Sequence, residues 1–405
     1  MSGSLLALSA TGAQDAALTG TPSVTFFRSV HRAHTPFSIE EIAQSFNGSV
    51  DFGKRITSTL SRSGDLINGL WLEITLPAQA GNVGYVQSVA HALIKEASVE
   101  IGGTMIDRHD GVYMKMLADL TTPAEKQAGY KKMVGTYDTV PATRYTMNST
   151  GGTYYLPLRF WFCESTACAL PLLALQYHEA RISLTLRNLN EIVWTDGIAT
   201  ASGSITGLDL WASYVFLGSQ ERKRIVQTSS ESLVYLVGHT GSESIPGGVS
   251  SAKIRLSTNH PTSSLLIAVT RDDQTVEDPA TGNDIFNFGS MAAGDAYRIA
   301  SMKLVLNSHD RTSARTGAYW HLVSNYTYST NVPDSHIYLM SFGLQPESYT
   351  QPSGTINFSR IDSISLDCSF DTVALGGNSS KLYVFARVFN SLRVSSGLAG
   401  LSYSN

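Results

Sequence analysis

Short runs in which apolar and polar residues alternate with a period of two recur along this chain, and they limit its fold more than any other feature. Trp71-Leu72-Glu73-Ile74-Thr75-Leu76 is one such run, closed by Pro77. Arg181-Ile182-Ser183-Leu184-Thr185-Leu186 sets Ile, Leu and Leu on one face, and Ile361 to Leu366 and Lys381 to Asn390 behave alike. Successive side chains of a strand point to opposite faces, so runs of this kind, bounded by Gly, Pro, Asn and Ser clusters, predict strands with one buried face. Helical signals are few. Thr121-Thr122-Pro123-Ala124-Glu125-Lys126 offers a Thr cap, a Pro at the first helical position and a Glu three residues after Thr122, and predicts a short helix in a loop. A second short helix is expected over Pro36 to Ala43, capped by Ser38.

The strand runs come in a similar order twice. In the first half, Tyr154 to Phe160 is followed by Arg181-Ile182-Ser183-Leu184 and then by Asp209 to Phe216. In the second half, Ile337 to Phe342 is followed by Arg360 to Ile364 and then by Lys381 to Phe385. Tyr155 to Arg181 spans 26 positions and Tyr338 to Arg360 spans 22. A chain of 405 residues holds two copies of an all-β unit of about 190 residues, the size of an eight-stranded jelly roll with long loops. The expected organisation is an arm over 1–23, a first roll over 24–217, a polar linker over 218–225 and a second roll over 226–405. The linker reads Gly218-Ser219-Gln220-Glu221-Arg222-Lys223-Arg224, directly after a strong strand.

Composition removes several classes. Charged residues make up 15% against about 25% in an average globular chain, and Ser and Thr fill the gap. The apolar residues are too many and too evenly spread for a disordered chain. No apolar run approaches ~18 residues, so a membrane-spanning helix is not expected. The net charge of -4 and the lack of a basic block argue against direct nucleic-acid binding. With 3 cysteines there is no disulfide framework, and Cys163 and Cys168 are expected as reduced thiols. Residues Met1 to Leu18 lack the basic n-region and long apolar core of a secretory signal, and Ser2 stands where myristoylation needs Gly. The first 23 residues are therefore expected to form an extended arm.

Catalytic and metal constellations do not assemble from the motifs. There is no phosphate-binding G-x-x-x-x-G-K-[ST] loop, no G-x-S-x-G elbow and no C-x-x-C. His31 and His34 would point to opposite faces of a strand, so neither a metal nor another cofactor is expected. The adjacent pairs Glu40-Glu41 and Asp272-Asp273 read as solvated faces rather than as a cleft-flanking carboxylate pair. His178-Glu179 reads as a satisfied structural pair, although a buried His–carboxylate pair is also a catalytic arrangement. Phe160-Trp161-Phe162, inside an apolar run, reads as core. Asn-x-Ser/Thr triplets at Asn47, Asn148, Asn325, Asn357 and Asn378 are possible glycan acceptors, with Asn148 and Asn378 in the most loop-like contexts.

A specific resemblance runs almost end to end. Gly12-Ala13-Gln14-Asp15 with Leu18-Thr19-Gly20, then Thr25-Phe26-Phe27 and Arg32 with His34-Thr35, resembles the N-terminal region of the major capsid proteins of large, internally membraned, icosahedral DNA viruses of eukaryotes. Asp51-Phe52-Gly53, Ser63-Gly64-Asp65-Leu66-Ile67, Pro157-Leu158 with Phe160 to Cys163, and Ala174 to Glu179 continue it. Gln351-Pro352-Ser353-Gly354-Thr355 with Asn357 to Asp362, and Leu392-Arg393-Val394 with Ser396 to Leu401, are similar to that family's C-terminal half.

The resemblance implies two jelly rolls side by side in each chain and three chains in a pseudo-hexagonal trimer. It implies trimers tiling the capsid, locked by minor capsid and penton proteins above an internal viral membrane, in virions assembled in the host cytoplasm. It implies no enzyme activity. The chain is short for the family, so trimmed outer loops are expected, with compact connections at Gly294-Asp295 and Asp334-Ser335. Some relatives carry glycans away from standard sequons. Two other readings stand beside it. One is a carbohydrate-binding or -cleaving β-sandwich, which needs an exposed aromatic platform or a grooved carboxylate pair. The other is a lectin activity carried on the capsid by loops such as 135–152 or 271–290.

Overall fold

The computed structural model describes residues 3–137, 149–227, 230–280, 282–289 and 296–403. The chain divides into two compact units, Met1–Pro36 and Phe37–Asn405. The first contains α1 (Gly3–Ser9) and α2 (Ala16–Thr19), so the expected extended arm is partly helical.

In the larger unit the first strands are β1 (Phe37–Gln44), β2 (Arg55–Thr59), β3 (Leu66–Leu76) and β4 (Val83–Tyr85). Next come α3 (Val89–Leu93), β5 (Ile94–Ile101), β6 (Thr104–Asp110), α4 (Gly111–Thr121) and α5 (Ala124–Val134). The first half finishes with β7 (Gly152–Pro157), α6 (Trp161–Glu164), β8 (Ala180–Leu186), β9 (Val193–Thr195) and β10 (Gly207–Leu217), and α7 (Ser219–Gln227) follows. Two antiparallel four-stranded sheets result, ordered β1-β10-β3-β7 and β2-β8-β5-β6. Strands distant in sequence lie side by side in both, which is the jelly-roll winding.

The second half repeats it. Its elements are β11 (Ser230–Ile245), β12 (Ser251–Arg255), β13 (Pro261–Arg271), α8 (Asp272–Thr275), β14 (Ile299–Leu306), β15 (His309–Asp310) and β16 (Arg315–Thr316). A π-helical turn Tyr319–Val323 runs into α9 (Ser324–Tyr328), then come β17 (Tyr338–Ser341), β18 (Ile356–Asn357), β19 (Ile364–Phe370), β20 (Ser380–Ser395) and β21 (Leu398–Leu401). The sheets run β11-β20-β13-β17 and β12-β19-β14-β15, the order of the first half strand for strand. The fold is a double jelly roll, all-β with a few short helices. The three segment pairs of the internal repeat fall on equivalent strands or their approaches: β7 with β17, β8 with β19, β10 with β20.

Each roll buries the alternating residues of its strands between its two sheets. In β3, Leu70, Leu72, Ile74 and Leu76 point inward, while Gly69, Trp71, Glu73 and Thr75 point out. β13 departs from this: Leu265, Ile267 and Val269 face the core of the second roll, and Leu266 and Ala268 on its outer face are buried as well. A strand covered on both faces reads as a continuous apolar run, and Leu265-Leu266-Ile267-Ala268-Val269 is one.

Two helix expectations change. Pro36 to Ala43 is not helical, because β1 pairs with β10 over eight rungs from Phe37↔Leu217 to Gln44↔Leu210. Ladder pairing outweighs a local cap signal. The helix expected after Thr122 forms as α5, one residue later, with Pro123 at its N-cap and Gly135 ending it at φ 74. The polar stretch expected as a linker over 218–225 falls largely in the helix α7, whose Arg222 Nε lies 3.0 Å from Asp65 Oδ1 while Asp65 Oδ2 accepts from Leu217 N at 2.8 Å.

Candidate functional site: the joint between the rolls and the faces left open

Helix α4 follows β6 directly. Val112, Tyr113, Met116, Leu117 and Leu120 lie along one stripe of it. They are at most 4% exposed and pack on Leu266, Ala268, Leu339 and Phe385, on the outer face of the second roll's β11-β20-β13-β17 sheet. Met114 on the other side enters the core of its own roll. Gly111 starts the helix where a Cβ would stand 2.4 Å from the carbonyl oxygens of His91 and Ile94, so only glycine lets the helix sit this low. At about 1.5–3 kcal/mol per buried large apolar side chain, this stripe is a second small core holding the rolls together.

Polar contacts cross it from Asp107 and Asn331, and others brace its walls within each roll. Asp107 and His109, two apart on β6, point to one side, with His109 Nε2 2.9 Å from Asp107 Oδ2 and both side chains buried. Asp107 Oδ1 accepts from Val237 N of β11 at 3.1 Å. The His109 ring stacks on Phe160 at 4.7 Å. Arg387, buried on β20, donates from Nη1 to Pro346 O at 2.9 Å and lies 5.0 Å over the Tyr349 ring. Burial pushes the Tyr349 phenol up to about 12, with Arg387 pulling the other way. Arg159 forks onto Glu164, donating to Oε2 at 2.9 Å, and reaches Thr121 Oγ1 at 3.0 Å. Asn331 Nδ2 donates to Asp119 O at 2.8 Å.

Farther along, Trp194 Nε1 donates to Gly282 O at 3.1 Å. Asn283, in the left-handed region at φ 60, spends its amide on Asn190 O and Val193 O. Asp107, His109, Arg387, Trp194 and Asn283 are buried. They can hold two rolls in one geometry, and they offer no reactive group to a substrate.

The sequence-derived sites scatter. His178 and Glu179 do not form a buried pair. Glu179 is exposed, and His178 Nδ1 lies 3.1 Å from Ala399 O and 3.2 Å from Ala399 N, docking the β21 strand. Among the described residues, Asp107–His109 is a buried His–carboxylate pair, its i, i+2 spacing on a strand setting both side chains to one side. Glu40 and Glu41 are exposed on the edge strand β1, and Asp273 pairs with Arg271 at 2.6 Å. His31 and His34 are exposed. Phe160, Trp161 and Phe162 are core. Cys163, Cys168 and Cys368 are free thiols, and burial pushes Cys368 up to about 12.

Of the sequons, Asn325 is fully buried with its Nδ2 donating to Ile337 O at 3.0 Å, so the folded chain has no room for a glycan there. Asn47 and Asn357 are exposed and Asn378 is half-buried. Asn148 lies outside the described residues, as do Gly294-Asp295 and most of loop 135–152.

Among the described residues, two faces carry exposed large apolar side chains. On the outer side of β1-β10-β3-β7, Trp71 stands opposite Trp211 on one neighbour and Pro157 on the other. Trp71 is 38% exposed and Tyr155 44%. A groove of about 720 Å³ beside them reaches under α5 to Tyr130 and Met133. On the second roll, the helical stretch Tyr319–Tyr328 exposes Leu322, Val323 and Tyr326.

Residues 25–218 match the family described as major capsid protein N-terminus, and residues 221–400 match the large eukaryotic DNA virus major capsid protein. The chain belongs to the major capsid proteins of large eukaryotic DNA viruses. It is 36% identical to the major capsid protein of Pyramimonas orientalis virus over 429 aligned residues, and 34% identical to that of Phaeocystis pouchetii virus over 525, with all of each chain covered. A solved structure described as the PBCV-1 virus capsid superposes with a TM-score of 0.80 at 30% identity, covering 94% of this chain and 100% of that one. The protein is thus a structural, non-enzymatic component of the virion.

Proposed function

We propose that this major capsid protein closes into a homotrimer with a pseudo-hexagonal outline, the capsomer that tiles an icosahedral shell. The observation that supports it is the duplication. Two rolls of the same strand order sit in one chain, joined by a helix-on-sheet contact, so three chains supply six similar walls. A heterologous contact that closes on itself gives a ring rather than a filament. Many weak contacts between capsomers then hold the shell by multivalency. In this reading the arm covers 1–23, the first roll 24–217, the linker 218–225 and the second roll 226–405. The capsomers meet minor capsid and penton proteins, lie close to an internal viral membrane and assemble in the host cytoplasm, without direct nucleic-acid contact. A sequon-directed glycan goes to Asn47, Asn148, Asn357 or Asn378.

Light scattering behind a sizing column tests the trimer. One chain has a mass of 43.7 kDa, so three give about 131 kDa. A folded species at the single-chain mass, at every concentration reached, refutes the proposal.

A further inference from the structure

Resting on that trimeric reading, we infer that the helical stretch Tyr319–Tyr328 of one chain docks on the outer β1-β10-β3-β7 face of the next. The template is the joint inside the chain. Gly111-Val112-Tyr113 opens α4, and Gly317-Ala318-Tyr319 opens the second helix, each after the hairpin strand that follows β5 or β14. A Cβ on Gly317 would stand 2.1 Å from Ile299 O, as one on Gly111 would stand 2.4 Å from Ile94 O, and Ile94 and Ile299 begin the equivalent strands β5 and β14. Counting on from these glycines, Met114 matches Trp320, and both enter the core of their own roll. Met116, Leu117 and Leu120 match Leu322, Val323 and Tyr326.

The first set is buried on the neighbouring roll. The second set is 38%, 48% and 82% exposed. The second copy of the same device stands on the surface of its own chain.

The receiving face corresponds in the same way. On the second roll the row under α4 is Leu339, Leu266 and Phe385, which stand opposite one another on β17, β13 and β20. On the first roll the equivalent strands β7, β3 and β10 carry Pro157, Trp71 and Trp211 in one row, pointing outward. Among the described residues, the stripe of Leu322, Val323 and Tyr326 covers no roll of its own chain, and the Trp71 row, beside the groove that reaches under α5, carries no helix equivalent to α4. A second copy supplies both, and repeating the step around a ring of six rolls closes at three chains.

The test uses the full chain in two variants, Val323→Asp and Trp71→Glu, with Ile198→Asp as a control at a residue 89% exposed elsewhere on the first roll. Mass by light scattering is followed across protein concentration, with circular dichroism and thermal melts reporting the fold. A charge forced into either half of the contact raises the concentration for half-dissociation by about 100-fold or more, while the control stays trimeric. Wild type and both variants trimeric with equal dissociation overturn the inference and leave the trimer standing. A wild type that never trimerises refutes the trimer itself and the inference with it. The two variants change different rolls, so misfolding of one leaves the other to decide.

Discussion

Leu117 sits at the centre of the joint, 2% exposed and surrounded by side chains of both rolls. Replacing it by Ala removes three buried carbons and leaves a cavity that neither wall can readily close, since one wall is a sheet and the other a helix seated on Gly111. Substitutions of this kind cost about 2–5 kcal/mol. With an unfolding entropy of about 2.1 cal/mol/K per residue, the roughly 370 residues of Phe37–Asn405 give about 0.8 kcal/mol/K, so a loss of about 3 kcal/mol lowers Tm by about 4 °C. The loss should not depend on protein concentration, because the cavity lies within one chain. Val323→Ala, at the equivalent helix position, should cost less than about 0.5 kcal/mol in the dissociated chain and more as concentration favours the trimer. Differential scanning calorimetry over a 100-fold concentration range measures both. A Leu117→Ala shift below about 1 °C, or two transitions of which only one moves, would show that α4 does not unite the rolls.

Four further outcomes follow from the same contacts. Arg387→Ala should destabilise by about 2–4 kcal/mol in urea unfolding, and Arg387→Met by less, because Met keeps the volume between Tyr235 and Tyr349. Asp65→Ala should cost about 1–3 kcal/mol by losing both Arg222 and the Leu217 amide, and Asp65→Asn should cost less; equal urea midpoints would rule out the anchoring of α7. Burial lowers His91 well below its ordinary range and lowers His321, with Lys115 and Arg159 adding to the effect at His91. Their folded pKa lies below the unfolded value near 6.5, so they contribute full stability above that pH and lose it as pH falls, by up to about 1.4 kcal/mol per unit each; Glu347, raised by burial, opposes them. Urea midpoints at pH 7.5 and 5.5 check this, and His321→Gln should flatten the slope. Deleting residues 2–20 should leave the trimer mass, less the deleted residues, intact and impair shell assembly; loss of the trimer counts against the arm reading.

The walls of the rolls were legible because one-face burial writes a period of two into β3, β8 and β20, and because the matched segments of the repeat fall on equivalent strands. The joint was not. Its helix α4 has no Ser, Thr or Asn cap, its N-cap Asp110 makes no side-chain cap, and its apolar stripe exists for a sheet distant in sequence. Asp107–His109 is an ordinary i, i+2 pair until both residues are known to be buried. Pro36 to Ala43 carried a cap signal but lies along β10, and only the ladder partner decides that contest. The Gly-x-Tyr openings at Gly111 and Gly317 were present in the sequence. Their meaning came from the carbonyl oxygens beneath each glycine, which no local pattern encodes.

Single-particle imaging of the purified chain by cryo-electron microscopy tests the central claim most directly. The account predicts a threefold particle with six similar walls and a near-hexagonal outline, with helix density from Tyr319–Tyr328 of each chain over Trp71 of its neighbour. A twofold dimer, an open chain of subunits, or a threefold particle in which Trp71 faces solvent would contradict it.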